Sequence, residues 1–224
     1  MASACVRGPG EWNEWINWLM AGLHGRHRWR LPLLLAGMLF AQGRRTVSTW
    51  LRAAGVSPDY ADYYYFLASV GRNAKSVSWR LLWLVLRIVP LSERVLLVLD
   101  DTPTQRYGPK VEGADVHHNP TPGPADQDYL YGHIWVTLSL AVRHPRWGAL
   151  ALPLRALLYV RRQTLPSIPR RRGWRFRTKL ELAAQLLHWA APAGTARGNW
   201  FWRTEERTSA QRPRRVAARP AGGS

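Results

Sequence analysis

The chain has 224 residues, 46% of them hydrophobic, which allows one good-sized domain or two small ones around a buried core. Its 32 Lys and Arg against 14 acids give a formal charge of +18, pointing to a polyanionic partner, most simply nucleic acid, with a membrane surface as the weaker alternative. The single Cys5 excludes an internal disulfide and a cysteine-built zinc site, no apolar run is long enough to span a bilayer, and no secretory signal is visible, so the expected place is the cytoplasm, on the nucleoid.

Trp12, Trp15 and Trp18 recur every three residues, as one face of a short helix would present them. His24, Arg26, His27, Arg28 and Arg30 form a basic link. Leu31 to Gln42 reads as a helix with Pro32 in its first turn. A basic turn follows, then a short helix from about Val47 to Ala54 with Gly55 as its stop. With Arg44, Arg45 and Arg52 beside it, this turn and helix resemble half of a helix-turn-helix. Those three arginines are candidates to hold DNA phosphates; a plain helical hairpin is the alternative. Helices over Asp59 to Ser69 and Asn73 to Val89 complete a basic helical domain, residues 1–90.

Beyond residue 90 the period changes. Val95 to Leu99 is an unbroken aliphatic run, the mark of a strand buried on both faces. Asp100 and Asp101 leave its end, and Thr102 and Pro103 stop it. Seven of the 14 acids fall between Glu93 and Asp128, so a basic protein carries one acidic segment: an acid-base or metal site, or a solvated loop. Thr102 to Asp128 is a polar stretch rich in Gly and Pro that holds His117 and His118; a loop this long is functional or disordered. Gly132 to Val142 alternates as a strand, His144 to Gly148 is a turn, and Ala149 to Val160 returns as its hairpin partner. Arg161 to Arg172 is basic and broken by proline. Its Arg170, Arg171 and Arg172, with Arg106 upstream, join the DNA-contact candidates. Trp174 to Ala191 reads as a helix.

Strand, hairpin, helix is the order that opens a ribonuclease H-like fold. Leu99-Asp100-Asp101-Thr102-Pro103, Arg106-Tyr107-Gly108, Glu112-Gly113, His117-His118, Pro122-Gly123-Pro124-Ala125 and Tyr131-Gly132-His133-x-Trp135-Val136 together resemble the DDE superfamily of insertion-sequence transposases. The resemblance spans about Arg44 to Trp189. It implies DNA cleavage and strand transfer at transposon ends by two divalent metal ions, Mg²⁺ above all, held by two Asp and one Glu. The first Asp matches Asp100, with Asp101 adjacent as a second catalytic candidate. Successive strand residues face opposite ways, so one of the two faces the metals, and Asp101 is the residue that would otherwise cap the turn. His133, at a strand start beside Gly132, is a structural or substrate contact.

The family's second Asp ends the strand after the helix, and its Glu lies on a later helix; neither is found after Ala191. Gly198-Asn199-Trp200-Phe201-Trp202-Arg203-Thr204 back-translates as GGN AAY TGG TTY TGG CGN ACN. Read two bases later, with Arg203 encoded as CGN, this gives Leu-Val-Leu-Ala followed by a codon for Asp, Asn, His or Tyr. A shifted frame would therefore encode the expected strand. The reading is an α+β chain: a helical DNA-binding-like domain, an incomplete ribonuclease H-like domain over 91–192 with three strands and one helix, and a disordered, non-native tail over 193–224. Three functions follow: a truncated transposase inactive in cleavage, a non-catalytic DNA-binding protein at transposon ends, and a metal hydrolase using His117, His118, His133 and Asp100. Monomer and homo-oligomer stay open.

Overall fold

The computed structural model describes residues 9–56, 60–89, 95–108, 110–119, 127–169, 173–195 and 200–204. Arg170, Arg171, Arg172 and the Pro122 to Ala125 motif lie outside them.

Five helices come first: α1 (Gly10–Met20), α2 (Arg30–Phe40), α3 (Val47–Ala53), α4 (Ala61–Arg72) and α5 (Ala74–Ile88). Thr46 caps α3, its Oγ1 accepting from the Thr49 amide at 3.3 Å, and Gly55 closes it at φ +72°. Helices α2 and α3 touch so closely that a Cβ on Gly37 would stand 2.1 Å from the Trp50 carbonyl oxygen. Leu23, Leu33, Leu34, Leu51, Tyr63 and Phe66 form the core between them. Of the three tryptophans spaced three apart, Trp18 packs against α5. The Trp18 indole donates to the Arg80 carbonyl at 2.9 Å, and the Arg80 guanidinium donates back to the Trp18 carbonyl at 3.2 Å.

The remainder is a mixed sheet with one α-helix: β1 (Val95–Gln105), β2 (Asp115–His118), β3 (Tyr129–His144), β4 (Gly148–Tyr159), α6 (Lys179–Thr195) and β5 (Trp200–Thr204). The central strand is β3. It pairs antiparallel with β1 on one side, and on the other with β4 over residues 134–144 and with β2 over 129–132. Strand β5 lies parallel to β1 on the far edge. Helices α5 and α6 cover one face, where Leu82, Val85, Leu86, Leu182, Leu186 and Ala190 meet Leu97, Val136, Leu138 and Leu140. Each fully buried leucine contributes roughly 2 kcal/mol of apolar transfer energy.

The chain is α+β, as expected, with four differences in detail. Strand β1 does not stop at Thr102-Pro103 but runs to Gln105, so both aspartates sit mid-strand. Pro103 is tolerated because β5 pairs with β1 only as far as Leu99, leaving the outer edge at residue 103 without a partner strand among the described residues. A short strand, β2, lies within the expected loop. The three expected strands are five among the described residues, and the tail expected to lack structure from 193 continues α6 to Thr195 and forms β5. Aromatic and Thr residues favour a pleated strand whichever frame encodes them. Finally, α6 begins at Lys179, not Trp174, because Thr178 and Glu181 build a capping box. The Thr178 amide donates to Glu181 Oε2 at 2.6 Å, and the Glu181 amide donates to Thr178 Oγ1 at 3.2 Å.

Candidate active site

The pleat separates the two aspartates. Leu97, Leu99 and Asp101 pair with Leu140, Leu138 and Val136, all buried on the helix-covered face. Asp100 pairs with Thr137 on the opposite face and is exposed; its carbonyl accepts from Thr137 Oγ1 at 3.2 Å. Asp101 is therefore the carboxylate that meets the first turn of α6, where it forms an ion pair with Lys179. The capping box aims this contact by fixing where α6 starts, which sets Lys179 in the first turn. A cation there opposes the helix dipole, and the Asp101 and Glu181 carboxylates offset that cost.

Asp101 and Lys179 line an open cavity of about 460 Å³ with His117, His118, Tyr159 and Arg161. β2 brings in the histidines, and the end of β4 brings in Tyr159 and Arg161. His117 is 8% exposed. Burial first, then the charges of Arg161 and Lys179 and the nearby His133, push its pKa below the ordinary imidazole value, against an opposing pull from Asp115. Behind the cavity Asp115 anchors β2: its Oδ2 accepts from Thr164 Oγ1 at 2.5 Å and Gln163 Nε2 at 3.1 Å, and its Oδ1 from the Val116 amide at 2.7 Å. Burial alone would raise the Asp115 carboxyl, but these bonds and Arg161 outweigh it and hold it below its ordinary value. Arg161 also donates to the Val116 carbonyl at 2.7 Å.

His133 stands apart from this cluster. It is buried and doubly bonded: Arg106 Nε donates to its Nδ1 at 3.2 Å, and its Nε2 donates to the Glu112 carbonyl at 3.0 Å. That pattern is a structural clasp between β3 and the chain after β1. The DNA-contact candidate Arg106 is exposed overall and uses its Nε in the clasp. Arg44, Arg45 and Arg52 are exposed at the two ends of α3. Arg44 and Arg45 edge a second concavity of about 720 Å³, lined by Trp12, Trp15, Met38, Leu39 and Trp50.

Among the described residues, no three His, Cys, Asp or Glu side chains converge as a metal site would require. Among the described residues Asp101 is the one carboxylate lining the cavity, and Lys179 pairs with it. The donor set therefore does not fit a pair of divalent ions. It also does not join His117, His118, His133 and Asp100, since Asp100 lies across the sheet and His133 is engaged elsewhere. Sequence reasoning passed over Lys179 and Arg161. The Thr178-x-x-Glu181 capping box was the readable signal for Lys179.

A family model described as DDE superfamily endonuclease matches residues 19–199. Neither a curated protein nor a solved structure matches the chain. Among the described residues no helix is long and apolar enough to cross a membrane.

Proposed function

Because the chain belongs to the DDE superfamily of endonucleases, whose substrate is DNA and whose members generally use divalent metal ions, we propose that it is a transposase-type protein that binds transposon ends on the nucleoid but does not cut them. The order β4-β3-β1-β5, with β5 parallel to β1 after α6, supports a ribonuclease H-like reading of the sheet. Of the two adjacent carboxylates we assign the surviving catalytic position to Asp101, since it shares a cavity with His117 and Lys179.

The observation that carries the inactive reading is β5. The strand in the position where the family expects a second carboxylate reads Trp200-Phe201-Trp202-Arg203-Thr204 and contains no acid. One carboxylate cannot hold two metal ions. The shifted reading frame supports loss of an ancestral Leu-Val-Leu-Ala-Asp strand. A supercoiled plasmid incubated with the purified protein and Mg²⁺ is expected to stay uncut. Nicking that disappears in Asp101→Asn would overturn the inactive reading. A codon other than GAC at the sixth shifted position in the gene would remove the frame argument.

The second reading, a non-catalytic DNA-binding protein at transposon ends, is supported by the +18 charge and by the exposed Arg44, Arg45 and Arg52. It expects steeply salt-dependent binding. Binding that ignores salt would count against it. Homo-oligomerisation on DNA belongs to this reading and is tested by light scattering of the complex.

A further inference from the structure

The tip of the β3–β4 hairpin presents a tryptophan that the core does not use. Trp147 is 66% exposed. The turn itself is held by His144, whose Nδ1 accepts from the Arg146 and Trp147 amides, each at 3.2 Å. The indole lies nearly flat on the His144 ring, with 4.3 Å between centroids and 18° between planes. The stack covers one face of the indole and leaves the other to solvent. A ring already held in place loses little freedom when a planar group settles on its open face.

Charge says which planar group suits it. Arg143 and Arg146 sit on either side of His144-Pro145, both are exposed, and neither guanidinium has an ion pair or hydrogen bond among the described residues. Around them, residues 129–180 carry 11 Lys and Arg and no Asp or Glu. A nucleic-acid strand meets both features, with phosphates for the guanidinium groups and a base for the indole. An anionic lipid surface would meet the charges, but a single ring between Pro145 and Gly148 gives it little apolar area to bury. A base paired within a duplex is already stacked on both faces, so the ring needs an unpaired one. The tip also stands clear of the Asp101 cavity. His144 lies eight residues along β3 from Val136, which pairs with Asp101, or about 27 Å at the usual strand rise. Resting on the DNA reading above, we propose that the β3–β4 tip is a single-strand contact, in which Trp147 stacks on an unpaired DNA base and Arg143 and Arg146 hold the flanking phosphates.

The test compares the full chain with Trp147→Ala, Trp147→Phe and an Arg143→Gln/Arg146→Gln double variant, each checked by thermal melting. Anisotropy is read with two labelled duplexes of one sequence, one blunt and one carrying a single-stranded overhang of about ten nucleotides. Trp147→Ala is expected to weaken binding of the overhang duplex by about fivefold or more and of the blunt duplex by less than about twofold. Trp147→Phe keeps a ring and should stay within about threefold of the wild type on the overhang. The double arginine variant should lower the slope of log affinity against log salt on the overhang by about 1.4, two phosphates at about 0.7 each. If Trp147→Ala unfolds, 2-aminopurine placed in the overhang reads the stack in the wild type, where quenching on binding is expected and unquenched emission would overturn the proposal. No effect of a folded Trp147→Ala on either duplex, or an equal effect on both, overturns the proposal and leaves the DNA reading standing. Loss of binding to phosphatidylserine vesicles in Trp147→Ala, with overhang binding unchanged, would assign the tip to a membrane surface instead. If the wild type binds neither duplex, the DNA reading itself falls and this contact falls with it.

Discussion

Replacing Gly132 with alanine tests how tightly the site's central strands are held. A Cβ at this position would stand 2.2 Å from the Thr104 carbonyl oxygen and 3.1 Å from the Gln105 Cα. Both obstacles are backbone, so no side chain can swing aside. Restoring even a 3.0 Å contact needs a shift of about 0.8 Å between β1 and β3. That shift strikes the Thr104–His133 and Gln105–Gly132 pairings and the neighbouring His133 clasp on Arg106 and Glu112. Overpacking costs about 1–3 kcal/mol, and a disturbed buried hydrogen bond adds roughly another 1 kcal/mol, so Gly132→Ala should lose about 2–4 kcal/mol. Gly148→Ala is the control. Its φ is +70° with nothing within 4 Å of a Cβ, so only backbone strain of about 1 kcal/mol applies. Urea denaturation followed by circular dichroism measures both. If Gly132→Ala costs no more than Gly148→Ala, the close approach of the two strands is refuted.

Leu138→Ala removes a side chain with no exposure at the centre of β3 and should cost about 2–5 kcal/mol in the same assay; a loss under about 1 kcal/mol would mean the site collapses freely. Asp115 has its folded-state pKa depressed, so the stability it contributes is present above the ordinary carboxylate pKa and is lost as pH falls through the lower folded value. The urea midpoint of Asp115→Asn should therefore fall less than that of the wild type between neutral and acid pH, and parallel curves would contradict the assignment. Arg44→Ala and Arg45→Ala should each reduce the slope of log affinity against log salt by about 1 if they hold phosphates. An unchanged slope would remove them from the DNA interface.

Periodicity made the backbone of the fold legible. The alternation over Gly132 to Val142 found β3, the aliphatic run found β1, and the Trp spacing marked α1 as a packed helix. What failed did so for identifiable reasons. Pro103 looked like a stop because its missing N–H is harmful only where a neighbouring strand needs it, and sequence does not say where β5 ends. β2 has four residues, too few to show a period. Asp100 and Asp101 could not be told apart until the register with β3 assigned each a face. The partnership of Asp101 with Lys179 was invisible because 78 residues separate them, and a lysine on a helix reads as solvated.

The separation of partners in the sheet also sets an order of events. The β3–β4 hairpin closes across a turn between His144 and Gly148, where the His144 ring stacks on Trp147 at 4.3 Å, and such local closures take microseconds. Asp101 meets Lys179 only after the whole hairpin has formed and α6 has docked, a loop closure that is slower on entropic grounds. The Asp101–Lys179 corner is thus expected to be the last part of the sheet to mature. Pulsed hydrogen exchange should protect Leu138 and Leu140 before Leu182 and Leu186. The same late corner would be the first to open in the native protein, so ligands that bind there act as a latch on the final step of folding.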